Sequence, residues 1–219
     1  MSYSVRRRHL DRDLQAESAR LTGSVLEIGC GRLSRRGLFR PPTEGVVRWV
    51  FIDRDIARSP DICADAMFLP IRPSAFDTVL CLEVLEYIWA PQTALTEINR
   101  LLKPGGTLVL STPFLHRVDA PNDYWRFTES ALRRLLEMAG FDVIRCAAQG
   151  SALAVASSVL RNVVNAKVFW LARALDVLLR PLLGILEWAD SPMTRRRPIL
   201  GTFTTGYLVI ARRAEAQRM

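Results

Sequence analysis

Two glycines and a glutamate follow the first apolar run of the sequence, as Glu27-Ile28-Gly29-Cys30-Gly31. Glycines at such a point let the chain turn sharply off a strand and let a ligand approach the backbone closely. Asp53 ends the next apolar run, about 20 residues later, where an acid accepts hydrogen bonds from both hydroxyls of a ribose. The spacing predicts a site for a nucleoside-containing ligand, although a glycine pair alone is equally compatible with a simple turn.

A second acid, Asp65, follows a short predicted strand. Its carboxylate can accept a hydrogen bond from an adenine amino group, while the amides of Ala66 and Met67 can donate to the ring nitrogens. Each acid alone is as well explained by an exposed carboxylate. Because ligands of open α/β sheets bind at the carboxyl ends of the strands, the joint placement of Asp53 and Asp65 favours a nucleotide site.

The third residue after Gly31 distinguishes two classes of nucleotide-binding protein. Dinucleotide dehydrogenases need a third glycine, which lets the helix pack on the strand and receive a pyrophosphate at its N-terminus. This chain has Ser34 there, followed by a short basic segment. The pattern argues against a nicotinamide dinucleotide and for a ligand without a pyrophosphate.

The elements that must position these residues alternate between strands and helices, which indicates an α/β fold with a mostly parallel sheet covered on both faces. Helices are predicted from their spacing and caps, with Thr128 as the cap of the third and Gly140 after its end. The predicted strands are 25–28, 46–52, 60–64, 76–82, 107–111, 141–146 and 206–211, and the predicted helices are 11–21, 91–102 and 129–139.

The segment 151–190 does not fit this alternation, because it is strongly apolar and permits a helix throughout. Nearly all of its polar residues fall within about a third of the helical circumference, and Pro181 is expected to break or kink the helix. It has no run of about 18 uncharged apolar residues, so we expect no spanning helix. The segment either packs on its own domain or a second copy, or lies on a membrane surface.

Composition limits the classes further. The chain has 219 residues with 30 Lys+Arg against 22 Asp+Glu, a net charge of +8, and the hydrophobic content of a globular protein. Such a charge favours anionic partners, or simply a solvated arginine-rich surface. The four cysteines are widely spaced, and residues 1–22 are too polar for a secretory signal, so we expect a cytosolic protein without metal or disulfides. Docking of the insertion would place it at the inner face of the membrane.

Several motifs in order, spanning roughly 23–144, resemble the class I S-adenosylmethionine-dependent methyltransferases. The resemblance implies a Rossmann-like seven-stranded sheet whose last strand is antiparallel. It also implies an N-terminal helical cap (1–22), a methyltransferase domain (23–150 and 202–213) and an apolar helical insertion between the last two strands (151–201). The motifs are 25–31, Asp53, 64–66 with Leu69-Pro70, 76–77 leading to 82–87, and 97–106 with its Lys103-Pro104-Gly105-Gly106 ending.

The resemblance also assigns residues to S-adenosylmethionine. Asp53 would hold the ribose, and Asp65 with Ala66 the adenine. Leu82 and Glu83 would close the site after the fourth strand. The methionine end would be lined by Glu27, Gly29, Cys30 and Gly31.

The acceptor side is predicted from the cluster that follows the next strand. A similar His…Pro-x-Asp-Tyr-x-Arg-Phe-Thr stretch occurs in a subgroup of these methyltransferases associated with glycan, cell-envelope or secondary-metabolite biosynthesis. We expect His116 and Asp123 to be catalytic, with His116 as the base that deprotonates a hydroxyl. Tyr124, Trp125 and Arg126 are expected to bind substrate. The alternatives are a structural histidine, packing aromatics and an Asp123–Arg126 pair that stabilises the loop.

The function predicted from these residues is transfer of a methyl group to a small-molecule, glycan or lipid-linked acceptor, at oxygen. Arg117, Arg126 or the N-terminal arginines would clamp an anionic group of that acceptor. The alternative is a non-catalytic module that binds an adenosyl ligand and uses the apolar insertion for dimerisation or membrane docking. No base-flipping or stacking motif indicates a nucleic-acid substrate.

Overall fold

The structure is a computed structural model that describes residues 4–29, 37–118, 120–165 and 172–215. Its centre is a seven-stranded sheet. The strands are β1 (Gly23–Ile28), β2 (Val46–Asp53), β3 (Ile62–Cys63), β4 (Phe76–Leu82), β5 (Leu102–Pro113), β6 (Phe141–Ala148) and β7 (Gly206–Arg213). Their order in the sheet is β3-β2-β1-β4-β5-β7-β6. Only β7 runs antiparallel to its neighbours in this sheet. The predicted fold class is therefore confirmed.

Helices cover both faces of the sheet, because its central strands are apolar on both sides. Leu26 of β1 and Val79 of β4 face one core, which α2 and α3 complete. Val25 and Leu80, their neighbours in sequence, face the other core, which is completed by α1. The helices are α1 (Val5–Ala16), α2 (Pro91–Leu101), α3 (Glu129–Met138), α4 (Ala152–Asn165) and α5 (Ala172–Arg196).

The first helix lies earlier in the chain than the sequence predicts. It begins after Ser4, whose side chain accepts a hydrogen bond from the amide of Arg7, and ends at Ala16 rather than continuing to residue 21. Residues Ser18–Arg20 form a separate 3-10 turn. The arginine cluster 6–8 is thus part of α1, because a serine cap and the buried Leu10 and Leu14 outweigh the repulsion within the cluster.

Helices α4 and α5 form a pair between β6 and β7, at the place of the predicted insertion. Helix α5 continues through Pro181 and Pro192. A break at Pro181 is therefore contradicted, whereas a kink there stays a prediction. A proline removes one backbone hydrogen bond, and packing of the flanking turns can compensate. Among the described residues, no helix is long and apolar enough to cross a membrane.

Candidate functional site

A cleft of about 820 Å³ lies at the carboxyl ends of β1, β2 and β4. It brings together six of the predicted site residues, namely Gly29, Asp53, Asp65, Ala66, Glu83 and Tyr124. The other described lining residues are Ile28, Ile52, Arg54, Asp55, Arg58, Ala64, Met67, Val84, Tyr87, Ile88, Trp89, Ala120 and Asn122. Residues far apart in the sequence therefore form one cavity, because parallel strands end at the same edge of the sheet.

Gly29 forms the floor of this cleft directly after β1. Its backbone has φ +71°, and a Cβ at this position would lie 2.2 Å from Cγ2 of Val84. No residue with a side chain fits without moving Val84, and the left-handed backbone adds strain for any L-residue. Glycine is therefore required here by the backbone conformation and by the packing of Val84, and Gly29 is part of the cleft lining. Cys30 and Gly31, the other predicted residues of the turn, lie outside the described residues.

Asp53 and Asp65 stand on the same side of the cleft and are each held by a backbone amide. Oδ1 of Asp53 accepts from the amide of Asp55 at 2.9 Å, and Arg58 lies 3.5 Å from Oδ2. Oδ1 of Asp65 accepts from the amide of Met67 at 2.9 Å. These bonds fix the direction of both carboxylates toward the cavity.

The amide of Met67 has a different role from the predicted one. The sequence assigned it to an adenine ring nitrogen, but in the structure it donates to Asp65. An aspartate commonly accepts from the amide two residues later, because that closes a local turn without strain. Ala66 remains at the cleft wall beside Asp65.

Glu27 and Leu82, also predicted to contact the cofactor, are not among the described residues that line the cleft. The carboxylate of Glu27 is buried and accepts from the indole nitrogen of Trp49 at 2.9 Å. Trp49 lies on the neighbouring strand β2. This hydrogen bond links the carboxyl-terminal part of β1 to β2.

Glu83 follows β4 and joins the cleft to a buried polar cluster. It has φ +57°, a strained backbone for a residue with a side chain. Arg6 of α1 donates to both of its carboxylate oxygens, and Oγ of Ser111 donates to Oε1 at 2.8 Å. Burial alone raises the pKa of Glu83, but the Arg6 charge, these hydrogen bonds and the nearby His116 outweigh it, so the pKa is lowered.

Glu86 lies behind the cleft in the same cluster and behaves in the opposite way. Its side chain is 1% exposed, and Oε2 has no hydrogen-bond partner among the described residues. Burial, followed by the charge of Glu83, raises the pKa of Glu86 well above its ordinary value. One arginine thus compensates one of two adjacent acids, and burial beside that acid favours the protonated form of the second.

The N-terminal arginines were predicted to clamp an anionic substrate, and the structure corrects this for two of them. Arg6 is bound to Glu83 and to the carbonyl of Thr205, and Arg7 is paired with Asp11 at 2.9 Å. A guanidinium that α1 carries into the protein needs a counter-charge there, and the chain supplies it itself.

The predicted catalytic and substrate residues lie on the loop between β5 and α3. His116 is half-buried, and its charge is the smallest of the effects that lower the pKa of Glu83. The Asp123 side chain is 1% exposed and accepts two hydrogen bonds from Arg126. The indole nitrogen of Trp125 donates to the carbonyl of Ile88 at 2.9 Å. Within the described lining of the cleft, Tyr124 is the member of this group that reaches the cavity.

Trp89 is a wall residue that the sequence gave no reason to select. It is 68% exposed and meets Tyr124 edge to face, with 5.3 Å between ring centroids. The loop of Tyr124 is tied to this wall, since the amide of Tyr124 donates to the carbonyl of Glu86 at 2.9 Å. An exposed tryptophan beside the Leu82–Tyr87 motif is the signal that could have identified it.

Fold and cleft define an α/β protein that binds a nucleoside-containing ligand at its strand ends, and comparison with known proteins narrows this class. Residues 46–110 match the family described as "Methyltransferase domain". A ubiquinone biosynthesis O-methyltransferase of Xanthomonas campestris pv. campestris is 32% identical over 119 residues, 46% of this chain and 47% of that protein. A probable S-adenosylmethionine-dependent methyltransferase of Mycolicibacterium smegmatis is 29% identical over 133 residues, 54% of this chain and 52% of that one. The chain spans about half the length of the curated relatives it matches.

Solved structures share the fold at low identity. The structure of the (4+2)-cyclase SpnF aligns with 94% of this chain over 81% of the SpnF chain, with a TM-score of 0.60 and 20% identity. A Burkholderia thailandensis 1,6-didemethyltoxoflavin-N1-methyltransferase, crystallised with S-adenosylhomocysteine, covers 95% and 78%, with a TM-score of 0.55 and 19% identity. The family prediction is confirmed as follows: residues 46–110 match a methyltransferase domain, and the relatives support a class I S-adenosylmethionine-dependent methyltransferase, whose cofactor is S-adenosylmethionine.

Proposed function

We propose that this protein transfers the methyl group of S-adenosylmethionine to an oxygen of a small-molecule, glycan or lipid-linked acceptor. The observation that carries the proposal is the composition of the cleft. Its lining includes Gly29, Asp53 and Asp65, which we call the cofactor end, and Glu83, Trp89, Asn122 and Tyr124, which we call the acceptor end. A cofactor end and an acceptor end share one cavity, as a direct transfer between two bound molecules requires.

The residues of the first end fit an adenosyl group. Within this proposal Asp53 binds the ribose hydroxyls and Asp65 the adenine, and Gly29, which also lines the cleft, lies beside the part of the cofactor beyond the ribose. When bound, S-adenosylmethionine supplies a methyl group already activated by the sulfonium. The protein's task is then to hold the acceptor in line with that group and to exclude water, which accounts for most of the acceleration of such a step.

A hydroxyl acceptor additionally loses a proton, and within this proposal His116 takes it on an imidazole nitrogen. Its place on the loop after β5, which also carries the cleft residues Asn122 and Tyr124, supports this role. The Asp123–Arg126 pair holds the loop that carries Asn122 and Tyr124, so Asp123 acts by positioning. Oxygen as the methylated atom is supported by the similarity to ubiquinone biosynthesis O-methyltransferases.

The test separates cofactor binding from turnover. S-adenosylhomocysteine is titrated into wild type, His116→Ala and Asp123→Asn by calorimetry, and radiolabelled methyl transfer into cell-envelope and small-molecule extracts is measured in parallel. We expect His116→Ala to bind normally and to lose about 10²–10⁴-fold in turnover, the range for removal of a general base. The exposed Arg134→Ala on α3 serves as the matched control and should leave both unchanged.

A non-catalytic module that binds an adenosyl ligand is the competing function, because a fold alone does not establish methyl transfer. Wild-type protein that binds S-adenosylhomocysteine but labels no acceptor, together with indifference of both variants, would support that alternative. Absence of any binding heat with S-adenosylmethionine or S-adenosylhomocysteine would overturn both functions.

A further inference from the structure

The second half of α5 has two chemically distinct faces. Leu183, Glu187, Asp190 and Thr194 point toward the protein, at the spacing of one helical stripe. The opposite face is exposed to solvent along its whole length. Its exposed apolar residues are Pro181, Leu182, Ile185, Trp188, Pro192 and Met193.

Both acids of this half-helix are used inside the protein. Glu187 accepts from Oγ of Ser157 at 2.7 Å and from Arg161 at 2.9 Å, and Arg8 of α1 binds its other oxygen. Asp190 is 3% exposed. It accepts from Oγ of Ser151 at 2.5 Å and from the amides of Ser151, Leu153 and Ala154, and so caps the start of α4.

The outer face therefore keeps its basic residues without an acid among them. Arg195, Arg196 and Arg197 are all exposed at the end of α5, and none has an ion-pair partner among the described residues. Ile199, 69% exposed, and Phe203, 47% exposed, extend the apolar surface past them. We call the exposed residues of 181–203 the α5 patch.

Trp188 stands in the middle of the α5 patch and is 79% exposed. An isolated exposed apolar side chain needs no explanation, but a continuous apolar stripe with an exposed tryptophan marks an interaction surface. A tryptophan has an apolar ring and one polar N–H, and therefore prefers the boundary between water and lipid. Arginines beside such a stripe are attracted to anionic headgroups.

We propose that the α5 patch docks on the surface of a membrane that contains anionic lipid. Trp188 and Ile185 enter the headgroup region, and the arginines 195–197 bind lipid phosphates. A second copy of the chain fits the patch less well. In a two-fold contact the patch meets itself, and three arginines would then lack acidic partners within it.

The experiment uses the full chain with vesicles of phosphatidylcholine alone and of phosphatidylcholine with phosphatidylglycerol. We expect co-sedimentation with the anionic vesicles at low salt, release at high salt, and little sedimentation with neutral vesicles. The double variant Arg195→Gln/Arg196→Gln should weaken binding about 30-fold, at roughly 5-fold for each arginine. Trp188→Ala should weaken it about 10-fold.

The matched control variant is Met138→Ser/Arg134→Gln, which changes an exposed apolar and an exposed basic residue of α3, outside the α5 patch. It should bind vesicles as wild type does. Tryptophan emission should shift to shorter wavelength on binding, and Trp188→Phe should bind with most of that shift lost. All variants change exposed side chains, so unfolding curves should match those of wild type.

Three results would overturn the proposal: no sedimentation with anionic vesicles at low salt, equal sedimentation with neutral vesicles, or binding that the Trp188 and arginine variants leave unchanged. Analytical ultracentrifugation is run on the same samples. A dimer in solution that Trp188→Ala dissociates, without vesicle binding by wild type, would assign the α5 patch to a second copy instead.

Discussion

The two ends of the cleft hold their acids by different means. At the cofactor end, Asp53 and Asp65 accept from amides only two residues away, so each carboxylate is oriented by its own turn. At the acceptor end, Glu83 is neutralised by Arg6, which lies 77 residues earlier in the chain. The first arrangement is local, so the fold does not depend on the carboxylates of Asp53 and Asp65. The second couples the site to the docking of α1.

The largest effect is expected where that coupling is cut. Arg6→Met leaves the Glu83 carboxylate without its counter-charge and should lower the free energy of unfolding by about 3 kcal/mol, the low end for a broken buried pair because solvent reaches Glu83. Urea denaturation measures it, with Arg12→Met, an exposed arginine of the same helix, as the control. Adding Glu83→Gln should restore part of the loss, and a purely additive double variant would contradict the coupling.

The cofactor end should respond in binding and not in stability. Asp53→Asn removes a charged acceptor and should weaken S-adenosylhomocysteine binding by about 10- to 100-fold, while the unfolding curve barely moves. Calorimetric titration measures the affinity. Asp142→Asn, an exposed acid on β6, is the matched control. An Asp53→Asn protein that bound as tightly as wild type would remove the main argument for the ribose contact.

Folding stability should also depend on pH, because Glu86 is buried beside Glu83 behind the cleft. Because burial raises the pKa of Glu86, the folded protein retains a proton that the unfolded chain has already lost. Folding stability therefore falls as pH rises from the unfolded pKa of about 4.3 toward the raised folded value, by about 1.4 kcal/mol per pH unit. Glu86→Gln should lose this decline, so its advantage over wild type should grow between pH 5 and 7. Parallel urea curves at both pH values test it, and a constant difference would mean that Glu86 is ionised in the fold.

The smallest effect is expected at Trp125, on the loop that carries Tyr124. Trp125→Phe keeps a ring but removes the hydrogen bond to the carbonyl of Ile88, and should cost about 1 kcal/mol of stability. Affinity for S-adenosylhomocysteine should stay unchanged, because Trp125 is outside the described cleft lining. Tyr124→Phe is the control, because it keeps the aromatic ring that contacts Trp89. A large loss of cofactor affinity in Trp125→Phe would place that indole in the site.

Prediction from sequence worked where the placement of a residue depends on local order along the chain. Strand ends carry Asp53 and Asp65, and Thr128 caps α3 through the amide of Ala131, as its position before an apolar helix indicated. It did not work where a side chain is occupied by a distant partner. Arg6 looked available for a substrate, and nothing near it in sequence indicates Glu83 or the carbonyl of Thr205.

The sequence alone determined the alternation of strands and helices, the fold class and the glycine–acid pattern of the cofactor end, because each depends on periodicity or on positions adjacent in the chain. Only the tertiary structure decided which of the many arginines pair inward and which remain exposed. Arg6 is paired with Glu83, and both Glu187 and Asp190 are bound by residues inside the protein. Arg195–Arg197 remain exposed. Charge pairing depends on distances between elements, and periodicity contains no information about those.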